Sequence, residues 1–318
     1  MQYDIFNGDA DGIISLIQMR LAEPKTAQLV TGVKRDIELV KQVQAMANDE
    51  LLVLDISLEK NLAAVNVALA NGAVITYIDH HRAGELPVST RFTAHIDTAA
   101  ETCTALIVDK LLDGKHRDWA IAAAYGDNMV AVADALADER GLPLDDKRFL
   151  RELGTLINYN GYGVTIDDLH FAPAELFQML VQYASPFVLR DDRTSPFYQL
   201  QGAYAADMVN VAAQSPYYDD DTLLLYLLPN EAWAKRVSGV LGNVLANQHP
   251  QRAIAVVTHN TDKSFTVSLR APLNNRQGAG DICSQFATGG GRAAAAGINA
   301  LSVSDLPQLI DTIKAYYQ

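Results

Sequence analysis

Asp79, His80 and His81 stand side by side in the sequence, and together they offer metal ligands and a proton-transfer group. A carboxylate provides hard oxygen ligands, and a neutral imidazole provides a nitrogen ligand. The preceding residues, 72–78, have the apolar pattern of a buried strand. Because open α/β sheets bind ligands beyond the carboxyl ends of their strands, this position suits an active site. Alone, the three residues also fit an ordinary polar turn.

Three further acidic segments stand where the pattern predicts that a strand or helix ends. The apolar run 51–54 ends in Asp55, the opening run 1–6 leads into an Asn-Gly-Asp-Ala-Asp-Gly sequence at 7–12, and a predicted helix leads into Asp127. Parallel strands bring their carboxyl ends to one edge of a sheet. Carboxylates and imidazoles gathered there can share two divalent cations and activate water. The sequence therefore predicts a metal-dependent hydrolytic site.

The elements that must position these residues follow an alternating order. Residues 1–185 alternate between apolar strands and amphipathic helices, which predicts an α/β domain with a mostly parallel sheet and helices on both faces. Within it we predict a helix over 36–47 and a polar loop over 158–163. Thr102 and Thr104 fall in the first turn of another predicted helix, where capping is the plain interpretation.

A second, smaller α/β domain is predicted at the C-terminal end. Residues 186–220 are rich in proline and charged residues, which is typical of an inter-domain region with linker character. Residues 221–318 return to alternating strands and helices. Here a helix over 281–287 is predicted to lead into a glycine loop at 289–291, whose open backbone permits φ > 0 and lets amides approach a phosphate closely.

The composition is that of a globular enzyme, with 49% hydrophobic and 20% charged residues. No apolar stretch reaches the roughly 18 residues needed to cross a bilayer, and the opening residues lack the basic region of a signal peptide. The only cysteines, Cys103 and Cys283, do not form a disulfide framework. These features predict a cytoplasmic location without membrane contact.

The charge balance limits the class of substrate. The net charge is −13, and no run is rich in Lys or Arg. A protein that tracks along a polynucleotide gains affinity by neutralising many phosphates. The acidic balance therefore argues against long DNA or RNA, but it allows a short substrate with a few phosphates in a local basic pocket.

In order and spacing, the motifs resemble those of the DHH/DHHA1 phosphoesterases, a family that includes RecJ-type exonucleases, nanoRNase-type oligonucleotidases and cyclic-dinucleotide phosphodiesterases. The matches to the family's first domain are Asn7-Gly8-Asp9-Ala10-Asp11-Gly12, Leu54-Asp55, Asp79-His80-His81 and Gly126-Asp127. The matches to its substrate-binding signature are Ser268-Leu269-Arg270, Gly289-Gly290-Gly291-Arg292 and Ala295-Ala296-Gly297. The resemblance implies a DHH catalytic domain at 1–185, a linker at 186–220 and a DHHA1 substrate-binding domain at 221–318.

The resemblance also implies residue roles. The implied metal ligands are Asn7, Asp9, Asp55, His80 and Asp127. They would hold one or two Mn²⁺ ions, with Mg²⁺ or Co²⁺ as alternatives, and Asp55 as the bridge. The implied catalytic pair is His81, as phosphate contact or general acid, and Asp79, which holds an imidazole. The implied substrate-binding residues are Arg270, Gly289, Gly290, Gly291 and Arg292.

Two positions depart from the family pattern. Tyr3 stands where the family has a histidine, and Asn7 stands where it has an aspartate. An asparagine offers a neutral carbonyl oxygen and no charge. One metal site is therefore expected to be weaker, or to be completed by Asp4 or Asp11, and the sequence leaves open whether one or two metals bind.

By this resemblance we predict a phosphodiesterase that hydrolyses short linear 5′-phosphorylated oligonucleotides, and dinucleotides such as pGpG above all, to nucleoside monophosphates. The family's histidine is replaced by Arg292, whose permanent charge suits a terminal phosphate. The alternatives are a nanoRNase that also acts on pAp, a cyclic-dinucleotide phosphodiesterase, a pyrophosphatase and a non-catalytic nucleotide sensor. The expected partner is the short nucleotide, with neither long nucleic acid nor membrane, and a homodimer is left open.

Overall fold

The apolar runs of the first part of the chain form a parallel sheet in the computed structural model, which describes residues 1–318. Contacts divide the chain into two units, Met1–Ala203 and Tyr204–Gln318. The strands of the first unit are β1 (Gln2–Phe6), β2 (Gln28–Val30), β3 (Glu50–Leu54), β4 (Val74–Asp79) and β5 (Phe92–Ile96). Their order is β2-β1-β3-β4-β5, and every neighbouring pair is parallel. The winding direction reverses between β1 and β3, where such sheets open a crevice at their carboxyl edge.

Helices cover both faces of this sheet, as predicted. The helices are α1 (Ala10–Ala22), α2 (Leu58–Ala70), α3 (Thr104–Leu111), α4 (Arg117–Gly126), α5 (Val130–Glu139), α6 (Leu144–Gly161), α7 (Pro173–Leu180), α8 (Pro186–Asp191) and α9 (Pro196–Ala212). Alternate strand residues such as Ile5, Val53 and Tyr77 pack with Leu58 and Val65 of α2 on one face. Helices α1 and α3 pack on the other face.

Two predicted elements of the first unit are wrong. The helix predicted over 36–47 is a loop with one short 3-10 turn, Val40–Gln42. Asn61 of α2 holds this loop, since its side chain accepts from the Val40 amide at 3.2 Å and donates to the Ile37 carbonyl at 2.7 Å. The loop predicted over 158–163 is largely the last turn of α6, in which Asn158 is buried. Strand β5 was not predicted.

The second unit has a mixed six-stranded sheet of order β10-β11-β9-β8-β7-β6, in which only β7 and β8 are parallel neighbours. Its strands are β6 (Tyr218–Asp219), β7 (Leu223–Leu228), β8 (Ala253–His259), β9 (Phe265–Arg270), β10 (Gly289–Gly291) and β11 (Ala295–Leu301). Its helices are α10 (Ala232–Gln248), α11 (Ala279–Cys283) and α12 (Leu306–Tyr317). The boundary between the units lies inside the predicted inter-domain segment 186–220, which consists largely of α8 and α9.

The glycine segment also differs from its prediction. Gly289–Gly291 is the edge strand β10, paired antiparallel with β11, and the helix before it is only the short α11. A Cβ atom on Gly289 would lie 1.8 Å from the Cys283 carbonyl oxygen, and Gly291 has a φ of +143°. These glycines therefore permit close packing of a strand where a loop was predicted. No helix of either unit combines the length and the hydropathy that a membrane span requires.

Candidate metal centre

Asp55 follows β3 directly and has a left-handed backbone, with φ at +58°. A non-glycine residue in this region carries a backbone cost of about 1–3 kcal/mol, and such positions cluster at functional sites. The Asp55 amide donates to the Ile78 carbonyl of the neighbouring strand at 3.1 Å, which holds the turn in place. The turn buries the carboxylate at the carboxyl edge of the sheet.

His80 follows β4, and its ring is held in one orientation. Its Nδ1 lies 3.0 Å from the Thr102 carbonyl oxygen, so Nδ1 carries a hydrogen and donates it. Its Nε2 faces Asp55 Oδ1 at 3.4 Å and Asp11 Oδ2 at 3.7 Å. A nitrogen lone pair that faces two carboxylate oxygens is unfavourable unless a metal ion or a shared proton lies among them. The arrangement therefore fits a bound metal ion.

Asp11, from the first turn of α1, belongs to the same cluster. Its carboxylate accepts from the amides of Thr104 and Ala105 at 2.8 and 2.7 Å, at the start of α3. It is fully buried. Burial first, and then the nearby Asp127 carboxylate, raise the pKa of Asp11 above its ordinary value.

The potential ligands form two overlapping groups. Asp55, His80 and His81 form one, and Asp11, His80 and Asp127 form the other. Within each group the ligand atoms lie within 4.8 Å of one another. Both groups combine carboxylate oxygen with imidazole nitrogen, and both contain His80.

The cluster concentrates several carboxylates in a buried site. Burial raises the pKa of Asp55 well above its usual range, and the nearby carboxylates of Asp11, Asp9, Asp127 and Asp79 add to the effect. A divalent cation would offset this repulsion. The prediction that Thr102 and Thr104 cap α3 is wrong, because α3 begins without a side-chain cap. The two threonines instead support the cluster. The Thr104 hydroxyl instead donates to Asp55 Oδ1 at 3.1 Å.

His81 lies beside the cluster and is paired with Asp79. Its Nδ1 is 2.7 Å from Asp79 Oδ1. Asp79 is fully buried, and its other oxygen has no hydrogen-bond partner. The His81 side chain is 33% exposed, so a substrate can reach it. A carboxylate on Nδ1 fixes the tautomer and leaves Nε2 for proton transfer.

Lys34, which the sequence analysis missed, brings an ammonium group into the cluster. Its Nζ lies 2.5 Å from Asp9 Oδ2, 3.2 Å from Asn158 Oδ1 and 3.9 Å from Asp127 Oδ1. Burial raises the pKa of Asp9, but the Lys34 ammonium and the Gly12 amide outweigh burial and hold this pKa at about 2. Lys34 lies in a loop outside every motif, and no pattern of residue types marked it.

The departures from the family pattern have structural explanations. Asn7 Oδ1 accepts from the Asp9 amide at 3.2 Å, and Asn7 Nδ2 donates to the Lys34 carbonyl at 3.1 Å. Tyr3 lies in the hydrophobic core beneath the sheet. Asp4 forms a buried ion pair with Arg20, with Oδ2 and Nε 2.7 Å apart. Of the two candidates to complete the site, Asp11 lies in the cluster and Asp4 does not.

The predicted substrate-binding residues lie together in the second unit. Arg270 ends β9, and its guanidinium donates to Asn243 Oδ1 at 2.7 Å and to Ser268 Oγ at 2.9 Å. Ala295 of β11 pairs with Arg270, and its carbonyl accepts from the Arg292 amide at 2.9 Å. Arg270 and Arg292 therefore lie at the same end of the β9-β11-β10 edge, beside the glycine strand.

Neither a protein-family model nor a curated protein matches the chain by sequence. Solved structures do match along nearly its whole length. A DHH-domain protein described as a member of a family of ribosomal proteins matches with a TM-score of 0.63 at 13% identity, covering 99% of this chain and 86% of that one. An exonuclease RecJ bound to manganese matches with a TM-score of 0.55 at 17% identity, over 99% and 89% of the two chains.

A third match is the pGpG-specific phosphodiesterase PggH from Vibrio cholerae, with a TM-score of 0.54 at 12% identity, over 100% of this chain and 99% of that one. At such low identity these likenesses establish the fold. They confirm the predicted resemblance to DHH proteins at the level of architecture, a parallel α/β domain followed by a smaller α/β domain.

Proposed function

We propose that this chain, whose fold is that of DHH-domain proteins, is a metal-dependent phosphodiesterase that acts on short linear nucleotides. The observation that carries the proposal is the buried cluster around His80 Nε2, where Asp11 and Asp55 place carboxylate oxygens opposite a nitrogen lone pair. This arrangement is unfavourable for packing alone, and it is well suited to a divalent cation.

The residues that would hold the cation are Asp11, Asp55, His80 and Asp127, with His81 adjacent. When bound, a divalent cation acts as a Lewis acid toward water and phosphate oxygen. Mn²⁺ is our first choice for this mixed donor set, with Mg²⁺ and Co²⁺ as alternatives. The hydroxyl of Thr104 and the carbonyl of Thr102 fix the orientation of Asp55 and His80 before any ion arrives.

In our proposal the pair of His81 and Asp79 handles the proton. His81 Nε2 donates a proton to the oxygen that leaves when the phosphodiester bond breaks, and Asp79 stabilises the ring while it is charged. Water forms the new bond to phosphorus as the bond to the leaving oxygen breaks, and the proton that the water loses replaces the one given by His81. One dinucleotide and one water thus yield two nucleoside monophosphates. The exposure of His81 agrees with this role, since a buried imidazole could not reach the substrate.

The second unit supports a substrate with a terminal phosphate. Arg270 and Arg292 lie at one end of the sheet edge, beside a strand of three glycines whose backbone a ligand can approach. The net charge of −13 favours a short substrate. The similar fold of PggH, described as pGpG-specific, makes pGpG our first candidate. In this proposal neither long nucleic acid nor a membrane is a partner, and a homodimer is compatible with it.

The test is chromatographic product analysis with Mn²⁺ on pGpG, pApA, a five-residue RNA, cyclic-di-GMP and pyrophosphate. We expect rapid conversion of the two dinucleotides to monophosphates and little action on the others. Equal action on the five-residue RNA would indicate a nanoRNase, for which pAp is the next substrate to try. Hydrolysis of cyclic-di-GMP or pyrophosphate alone would identify the other enzymatic alternatives. No hydrolysis would favour the nucleotide sensor.

A further inference from the structure

His80 limits how many cations the two ligand groups can hold. Its Nδ1 is committed to the Thr102 carbonyl, so Nε2 alone faces the carboxylates. An imidazole nitrogen has one lone pair and binds one metal ion. Because both ligand groups contain His80, the two groups cannot each hold an ion of their own through that nitrogen.

The Asp9 side of the cluster already contains a positive charge. The Lys34 ammonium contacts oxygens of Asp9 and Asn158 and lies 3.9 Å from an oxygen of Asp127. A compact ammonium surrounded by oxygens from three side chains has the surroundings that a small hard cation would need. Asp9 is thereby neutralised without a metal.

The backbone around Lys34 holds this ammonium in place. The Lys34 amide donates to the Gly161 carbonyl at 2.9 Å, and its own carbonyl accepts from Asn7 Nδ2 at 3.1 Å. An aspartate at position 7 would have no hydrogen to donate there and would add another negative charge. Asn7 therefore helps to hold the backbone of Lys34, and the position of the ammonium depends on both residues.

We propose that this site binds one divalent cation and that the Lys34 ammonium is its second, built-in positive charge. The inference rests on the proposed function, since it assigns the charges of that same site. The Lys34 ammonium lies 3.9 Å from an oxygen of Asp127, within the same cluster, so its charge also acts on a phosphate bound there. Together the metal ion and the ammonium would offset part of the negative charge of the carboxylates and of a bound phosphodiester.

The experiment is a Mn²⁺ titration of the full chain, with bound metal measured by equilibrium dialysis and by electron paramagnetic resonance. The wild type is expected to bind one Mn²⁺ per chain, with the spectrum of an isolated ion. The double variant Asn7→Asp/Lys34→Met is expected to bind two, with a spin-coupled spectrum. Lys41→Met, an exposed lysine paired with Glu38, is the matched control and should match the wild type.

Two bound Mn²⁺ ions in the wild type, or one in a folded double variant, would overturn the inference. Circular dichroism checks that the double variant is folded. If it is not, Lys34→Arg and Lys34→Met are compared, and equal kcat losses of both relative to the wild type would count against a charge role. A wild type that binds one Mn²⁺ but hydrolyses nothing on the panel refutes the proposed function and leaves the charge assignment intact. Hydrolysis of pGpG by a wild type with two bound ions refutes the charge assignment and leaves the proposed function intact.

Discussion

The carbonyl oxygen of Thr102 lies 3.0 Å from His80 Nδ1 and so decides which nitrogen of that ring faces the acidic cluster. Thr102 immediately precedes Cys103, the residue before α3, while His80 immediately follows β4. The contact ties His80 to a segment 22 residues away in sequence. A ring fixed in this way presents Nε2 to a metal without first having to be ordered.

Replacing His80 should therefore remove metal binding. We expect His80→Ala to weaken Mn²⁺ affinity by at least about 100-fold, because the variant loses a direct ligand and not only a supporting contact. Isothermal titration calorimetry measures this directly. His249→Ala, at the end of α10 in the other unit, is the control and should bind like the wild type. Unchanged affinity in His80→Ala would place the metal elsewhere.

Asp79 should affect the chemical step more than metal binding. Its carboxylate holds His81 Nδ1 at 2.7 Å, and an amide in its place cannot stabilise a charged ring equally. We expect Asp79→Asn to lower kcat by about 10–100-fold, with metal affinity within about threefold of the wild type. Steady-state kinetics and a Mn²⁺ titration separate these effects. A loss of affinity that equals the loss of kcat would make Asp79 a support for the metal instead.

Metal-free protein should become more stable when Asp55 loses its charge. Its pKa is raised in the folded state, so the folded protein holds this proton more tightly than the unfolded chain. The resulting destabilisation is absent below about pH 3.8, the ordinary pKa of an aspartate. It grows as the pH rises from there through the raised pKa of Asp55 in the folded protein. We expect Asp55→Asn to raise the Tm of the metal-free protein at pH 7 by at least about 2 °C.

The substitution suits the backbone, because asparagine tolerates the left-handed conformation of residue 55. Thermal unfolding in the presence of a chelator measures the Tm. Asp191→Asn changes an exposed carboxylate and should leave the Tm nearly unchanged. Added Mn²⁺ should reverse the order, since the wild type gains stability from the bound ion and the variant gains less. A lower Tm for metal-free Asp55→Asn would contradict the charge argument.

The ion pair of Asp4 and Arg20 should contribute to stability, because both side chains are buried. Removing one partner leaves the other charge buried and unpaired, so Asp4→Ala should lower the free energy of unfolding by about 3–5 kcal/mol. Urea denaturation measures this value. Asp145→Ala removes an exposed ion pair with Arg148 and should cost less than about 1 kcal/mol. Similar costs for the two variants would show that Arg20 finds other partners.

Arg292 should act on substrates with a terminal phosphate. We expect Arg292→Ala to raise KM for pGpG by about 10–100-fold, the value of one or two charge-assisted hydrogen bonds. The KM for GpG, which lacks the 5′-phosphate, should change much less. Arg276→Ala alters an exposed loop arginine of the same unit and is the control. An equal rise for both substrates would assign Arg292 to general binding.

The sequence predicted the elements that carry local patterns. Residue types at strand ends indicated Asp55 and His80. The alternation of apolar strands with amphipathic helices predicted the parallel sheet that carries them. It could not predict Lys34, because the lysine joins the cluster through a loop that Asn61 and Gly161 hold in place. The glycine strand was also missed, since glycine has no side-chain pattern and its strand depends on pairing with β11.

Helix α3 has no capping side chain next to it, and its first amides are bonded by Asp11, 93 and 94 positions earlier in the chain. The start of α3 is therefore hydrogen-bonded only when α1 is in place, so we expect these two segments to become ordered together. Slow hydrogen exchange at the Thr104 and Ala105 amides would show that this contact protects the start of α3. On the ribosome, a nascent chain that has not yet been synthesised to residue 104 cannot make this contact. The Asp11 carboxylate of such a chain lacks the amides that hold it.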